Sequence, residues 1–482
     1  MKHFGLREFL SALASYGRDF YGADLPSDSF QGNAPWLIAG VAGLALTHCY
    51  YPIHTEPTKT DVKRACWMFF NLERPHHHRD TLAFDRLAIP EMYRQWSHQG
   101  MLLEDVTRGA LIFDAQSWRS AQKPAVMTAG WEESLLGCSV AEFSAAGFVL
   151  YSSSLIGGSF PLPNIVEMNV VYDAFGGRER FEQIVERLYV SDVEQFRTER
   201  GRAVDDIRKI DRHWAVSEPF AFNPLVRRPL LRGLKPDGSD AAIAPVPADI
   251  MSRASVEGVI YEGLEFHGSD FTGDVGSFFE GYVGRQLETM TGPLVFPQFA
   301  YRGRGGSERM TVDWIVVLPN AVILVECKSA MPNRSVVEGR DTFAEGHRQI
   351  REARKQILTT AALIKDGQPE LSRIPAGRPL IGVVVTLGTY LAANDPEIIS
   401  DGQTLADIPI GVIDVASLER FVTLSLNDAE AFATKILSAS PTERIEPRTI
   451  IKDLHWGPNR LLQAAYDNLA VIKAFTASGR TI

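Results

Sequence analysis

The sequence predicts an α/β (α+β) protein: a core of order helix, three strands, helix, two strands, preceded by a mostly helical N-terminal half. Three observations carry this. Met310–Lys328 holds two apolar, β-branched runs on either side of Pro319–Asn320, the pattern of an antiparallel hairpin. Pro379–Leu387 and Ile408–Ile413 are short apolar runs bounded by breakers, as buried strands are. Residues 1 to about 210 instead space their apolar side chains helically, with no internal repeat or low-complexity segment.

A chain of 482 residues is long enough for about two or three domains. The pattern divides it into a helical N-terminal domain (1–213), a Pro/Gly-rich connecting segment (214–265), the α/β domain (266–424) and a helical tail (425–482). The beginning, MKHFGLREFL, lacks a signal-peptide apolar region, and the longest apolar run, Trp36–Leu46, is too short to cross a bilayer. No membrane association is expected. Cys49, Cys66, Cys138 and Cys327 show no C-x-x-C spacing, which argues against a zinc ribbon or disulfide framework and fits a reducing cytoplasm. A net charge of −10 counts against tight, non-specific nucleic-acid binding by the whole surface, while leaving room for local basic patches.

In chain order, helices are expected at Lys2–Phe20, Asp61–Leu72, Glu91–Val106, Val140–Leu155 and Arg178–Leu188. Ser191–Asp192 caps a further helix through Val204. His76, His77 and His78 are consecutive, so they point in different directions and read as a solvated loop. His48 and Cys49 have no partner at ligand spacing and read as structural. Such a helical half suits a sensor, an oligomerisation module (a homo-oligomer or a partner protein) or a substrate-docking module. From Trp214 to Gly263 prolines punctuate the chain. There Phe222–Leu234 reads as a solvated linker or a strand pair, with Arg227, Arg228 and Arg232 as phosphate candidates and solvation the simpler fate.

The α/β domain opens on a helix at Gly273–Glu288, where Gly276, Glu280 and Gly284 share one face. Two glycines cost roughly 1 kcal/mol each in a helix interior, which makes sense if that face lies close to the sheet. Leu294–Tyr301 is the first strand, its Pro297 marking an edge or bulge. Arg302, Arg304 and Arg309 in the glycine-rich stretch 302–309 make either a cationic loop for a phosphodiester backbone or a solvated hairpin tip. A long helix follows at Thr342–Ile364, with a Thr342–Glu345 capping box and a buried stripe of Phe343, Ile350, Ala353, Ile357 and Ala361. Arg348, Arg351 and Lys355 occupy another face, for phosphate or for solvent. His347 reads as a surface histidine. Asp414–Val422 caps and begins the next helix.

The chemistry concentrates in the hairpin. Glu326 and Lys328 are two apart, so a strand puts them on one face. If Leu318 pairs with Ala321, Asp313 lies directly across from Glu326. A loop two residues longer, with Val317 opposite Val322, gives the same pairing, whereas a three-residue loop without a bulge turns Asp313 to the wrong face. Opposed residues have Cβ atoms roughly 4.5–5.5 Å apart, and two ionised carboxylates that close repel. A divalent cation removes the repulsion, and carboxylates plus waters and a phosphate suit Mg²⁺. Lys328 could stabilise developing negative charge or orient water. The plainer alternative is an ion-pair network around Lys328. Cys327 points away, into the core.

These residues resemble the PD-(D/E)xK nuclease superfamily, the restriction-endonuclease-like fold. The stretch is similar to bacterial nuclease-related domains, in which a D-x-I/V-V-V run precedes an apolar run ending in E-x-K. The resemblance spans Thr272–Asp414, under a third of the chain. It implies the α-β-β-β-α-β-β core, with Asp313 and Glu326 holding Mg²⁺ (or Mn²⁺), Lys328 on the attacking water, and Glu280 reaching the metal from the first helix. It places a Gln or Tyr near the site on the long helix, and of the aligned pair Gln349 and Gln356 it favours Gln356. The implied activity is hydrolysis of DNA, with defence against phage or foreign DNA as a setting. An RNA-directed nuclease, or a catalytically idle domain used for binding or scaffolding, stays open.

Overall fold

The computed structural model describes residues 4–21, 35–49, 55–72, 103–120, 122–162, 166–210, 214–235, 241–303, 306–329, 331, 344–390, 393–394, 408–439 and 446–479. The histidine triplet, Arg304, the Thr342–Glu345 capping box and the side chain of His347 lie outside them, as does most of the helix expected at Glu91–Val106.

The protein is α+β. Helices Leu6–Tyr21, Pro35–His48 and Lys59–Phe70 share an apolar core built on Phe9, Leu10, Leu37 and Phe69. Helix Leu103–Ile112 starts where the described chain resumes. The helices Val140–Leu155 and Arg178–Leu188 have the bounds expected. The first begins there because Ser139 and Glu142 form a reciprocal capping box. Asp192 Oδ1 accepts the Gln195 N–H at 2.7 Å and so starts helix Val193–Ile210, which runs past Val204.

The proline-rich stretch corrects one expectation, since it is built into the protein rather than solvated. β1 (Val190–Asp192) pairs in parallel with β2 (Leu230–Arg232), and Phe220, Leu225, Leu230 and Leu231 are buried. Pro224 and Pro247 open helical turns, where a missing N–H costs nothing. The three arginines serve structure. Arg227 pairs with Glu199, Arg228 donates to Leu188 O and faces Glu262, and Arg232 pairs with Glu186.

The helix ahead of the sheet is also longer than expected. It runs Val256–Leu287, with a kink at Gly268, whose φ of 57° and ψ of −131° are open only to glycine. The first strand is split in two. β3 (Leu294–Pro297) joins the main sheet, while β4 (Ala300–Arg302) and β5 (Glu308–Met310) form a separate hairpin. The main sheet has the order β3-β6-β7-β8-β9, with β6 at Trp314–Val317, β7 at Val322–Lys328, β8 at Leu380–Thr386 and β9 at Ile410–Asp414. Its first three strands are antiparallel and its last three parallel. Pro297 therefore sits on an edge strand, where its missing donor is tolerated.

Helix Val256–Leu287 covers one face through Phe279, Val283 and Leu287. Helix Ala344–Lys365 makes the β7-to-β8 crossover and covers the other through Ile350, Ala353, Ile357 and Ala361. Asp414 Oδ1 accepts the Ser417 N–H at 2.9 Å and starts helix Val415–Phe421. The tail forms helices Leu426–Ser438, Pro447–Lys452, Arg460–Asn468 and Ala470–Ala477. One apolar core runs without a break from Val106 through the sheet to Ile472. Among the described residues no helix is long and apolar enough to cross a membrane.

Candidate active site

The hairpin takes the tighter of the two expected loops. β6 and β7 pair from Trp314–Val325 to Val317–Val322, and Leu318 N–H donates to Ala321 O at 2.9 Å around Pro319–Asn320. The Asn320 amide pins the tip, donating to Glu430 O at 2.9 Å. Continued one step, this register sets Asp313 across from Glu326. The Asp313 carboxylate accepts the Cys327 N–H at 2.7 Å, which ties it to the end of β7.

Glu326 is 1% exposed. Its Oε1 accepts from Lys328 Nζ at 2.7 Å, while its Oε2 is buried with no hydrogen-bond partner. Lys328 Nζ also donates to Gln356 Oε1 at 2.9 Å, so the strand and the crossover helix fix the amine together. Gln356, which the resemblance favoured over Gln349, is thus the glutamine that meets the triplet. Cys327 packs on the main core, and burial holds its thiol well above its usual range.

Glu280 arrives from the helix on the opposite face. Its Oε1 accepts from Gln298 Nε2 at 3.3 Å, and its backbone O accepts from Trp314 Nε1 at 3.1 Å. The flanking glycines explain how the helix comes this near. A Cβ on Gly284 would stand 2.0 Å from the Trp314 ring, and one on Gly276 would touch Ser329 Oγ at 3.6 Å.

Burial pushes Glu326 up to about 8 and Glu280 up to about 7. The Asp313 charge adds to both shifts, and Lys328 opposes both. Burial raises Asp313 as well, against the Cys327 N–H that favours its charged form. Three crowded, under-solvated carboxyls with one orphaned oxygen are what a cation would relieve. Among the described residues no group of three or more His, Cys, Asp or Glu side chains is placed to hold a metal ion, so Asp313, Glu326 and Glu280 do not form a three-ligand set. A cation here would draw the rest of its shell from water and a phosphate, a habit of Mg²⁺.

The expected phosphate contacts are placed unevenly. Arg302 is exposed at the end of β4, paired across the small hairpin with Glu308. Arg348 is exposed and bonded to Glu352 at 2.6 Å. Arg351 is half-buried, and Lys355 is exposed beside Gln356. Sequence spacing did not single out Arg119. Its guanidinium lies 5.1 Å from the Trp314 ring centre and grips both oxygens of Glu288 at 2.7 Å.

No family model matches the chain, and no curated protein matches it. Among solved structures, the small subunit of the heterodimeric restriction endonuclease R.BspD6I aligns at a TM-score of 0.21 and 14% identity, over 47% of this chain and 100% of that one. A likeness at that TM-score says nothing about what this chain does.

Proposed function

We propose that the chain is a metal-dependent nuclease of the PD-(D/E)xK type that hydrolyses phosphodiester bonds in DNA. One observation carries the reading. Glu326 is almost wholly buried with an unpartnered oxygen, beside Asp313 and a lysine already fixed in place. A cation bound between these carboxylates would satisfy that atom, which the protein's own donors do not.

Asp313 and Glu326 would hold Mg²⁺ or Mn²⁺, with Glu280 supporting from the helix. When bound, the metal would lower the pKa of water and shield phosphate charge. Lys328, steered by Glu326 and Gln356, sets an ammonium where negative charge grows on the phosphate. From the helix, Glu280 would either support the metal or polarise the attacking water. Arg302, Arg348, Arg351 and Lys355 would offer charge to the backbone.

The test is incubation with supercoiled plasmid, linear DNA and RNA in Mg²⁺, Mn²⁺ or chelator. Cutting of DNA by the wild type, abolished by chelator and by Asp313→Asn or Lys328→Ala, is the expected result. Wild type and variants equally inert on every substrate and metal would overturn the reading in favour of a binding module. Cutting confined to RNA would reassign the substrate.

A further inference from the structure

Asp313 stands one residue outside the β6–β7 ladder, whose first pair is Trp314–Val325. Its carboxylate reaches back to Cys327 N–H, so the backbone that carries it must be fixed by other groups. Thr311 N–H donates to Phe299 O at 3.0 Å, and Thr311 Oγ1 accepts the Phe299 N–H at 2.9 Å. The next N–H, that of Val312, goes to the crossover helix instead and donates to Thr360 Oγ1 at 3.0 Å. Thr360 is wholly buried, and its helix neighbours Ile357, Ala361 and Ile364 are apolar core residues. A hydroxyl in such a place needs a partner, and the one it meets is the N–H next to Asp313. Gln356 lies four residues earlier, on the same side of the helix, and accepts from Lys328 Nζ at 2.9 Å. One helix thus holds the amine at one turn and the aspartate's strand at the next.

We propose that Thr360 is a positioning residue of the site: by holding Val312 N–H it sets the Asp313 carboxylate against Glu326 and Lys328. This rests on the nuclease reading, in which Asp313 grips the cation, and adds the residue that keeps it in register. The two carboxylates are supported unequally. Glu326 lies inside β7, where the ladder to β8 runs from Val322–Leu380 through Glu326–Val384 to Lys328–Thr386. Asp313 has left its ladder, and the Thr360 bond is what ties its stretch of backbone to the crossover helix. A cation needs its carboxylates at a fixed separation, and hydrogen bonds behind metal ligands hold that separation. Because the bond spans helix and strand, it also fixes Asp313 relative to the amine that Gln356 holds. If it did no more than satisfy a buried N–H, its loss would lower stability and leave the grip on a cation unchanged.

Calorimetric titration of the full chain with Mn²⁺ alone tests this, beside a melting curve and the Mg²⁺ dependence of DNA cleavage. Thr360→Val keeps the branched shape and removes the acceptor. It should bind Mn²⁺ roughly tenfold more weakly, the usual cost of losing a bond behind a metal ligand. It should need correspondingly more Mg²⁺ for half-maximal cutting. Thr360→Ser returns the acceptor and should restore both. Should Thr360→Val fail to fold, Thr360→Ala, a better helix former, makes the same deletion. Folded Thr360→Val that melts earlier yet binds Mn²⁺ as wild type does would overturn this inference alone and leave Thr360 a support of the fold. Thr360→Ser that binds Mn²⁺ as weakly as Thr360→Val would do the same. A wild type that neither binds Mn²⁺ nor cuts DNA would overturn it together with the nuclease reading.

Discussion

Gly284 lies so close to the indole of Trp314 that a single added Cβ would stand 2.0 Å from the ring. Trp314 cannot yield easily, being 3% exposed and held by its N–H bond to Glu280 O. Gly284→Ala gains about 1 kcal/mol of helix propensity, yet it forces the helix off the sheet. Such overpacking costs typically 1–3 kcal/mol. The variant should be destabilised in urea unfolding, and cleavage should fall further than stability because Glu280 moves with the helix.

Lys328 and Gln356 should separate by magnitude. On the proposed reading, Lys328→Ala removes the charge that would face the phosphate and should lower kcat by roughly 10²–10⁴-fold. Gln356→Ala leaves the amine bonded to Glu326 and should cost about tenfold, the worth of one hydrogen bond to a charged group. Single-turnover cleavage at saturating Mg²⁺ measures both. Equal losses would mean that the glutamine is more than a guide for the amine.

Arg108 and Glu419 join the helical half to helix Val415–Phe421, which follows the last strand. Arg108 Nε and Nη2 donate to the two Glu419 oxygens at 2.6 and 2.7 Å, and Tyr282 donates to the same carboxylate at 2.6 Å. Both charges are buried. Arg108→Leu should destabilise by about 3–5 kcal/mol because it strands the carboxylate, whereas Arg108→Leu with Glu419→Leu should cost much less. A double-mutant cycle in denaturant gives the coupling.

Glu257 supplies a pH dependence. Burial and the charge of Asp105 raise it to about 7, against the pull of Arg108. A raised carboxyl favours folding in its protonated form. Its contribution is therefore full below the usual carboxyl range near 4.5 and is lost as pH climbs through about 7. Glu257→Gln should flatten that fall and gain about 1–2 kcal/mol at pH 8, less than the full shift implies because the side chain keeps some exposure. Thermal melts from pH 4.5 to 8.5 would show it. A variant less stable than wild type at pH 8 would contradict the assignment.

What could be read from the chain was what is local. The hairpin register followed from a period of two and a short turn, so Asp313, Glu326 and Lys328 could be placed before any coordinates. The Gly276–Glu280–Gly284 spacing foretold a close helix–sheet approach, and Trp314 is what it approaches. Helix Val140–Leu155 was legible from its apolar spacing, and the structure adds the Ser139–Glu142 cap that starts it. The rest depended on distant partners. β2 is three residues long and finds its parallel mate about forty positions earlier, as the Arg228–Leu188 bond beside it shows, and so short a pair has no periodicity to read. The early start of the Val256–Leu287 helix was masked by Gly258, Gly263 and Gly268, which lower local propensity while tertiary packing overrides them. Arg119 lies 169 positions from Glu288, and no spacing rule links them.

Because a single apolar interior threads from Val106 to Ile472, the protein resists dissection. Excising the five-stranded sheet with its two flanking helices would bare Phe271 and Phe278 to water, and the fragment would aggregate rather than report on catalysis. Whoever engineers this molecule must graft or swap around the elements that share that interior, since parting any of them opens a seam in hydrophobic material.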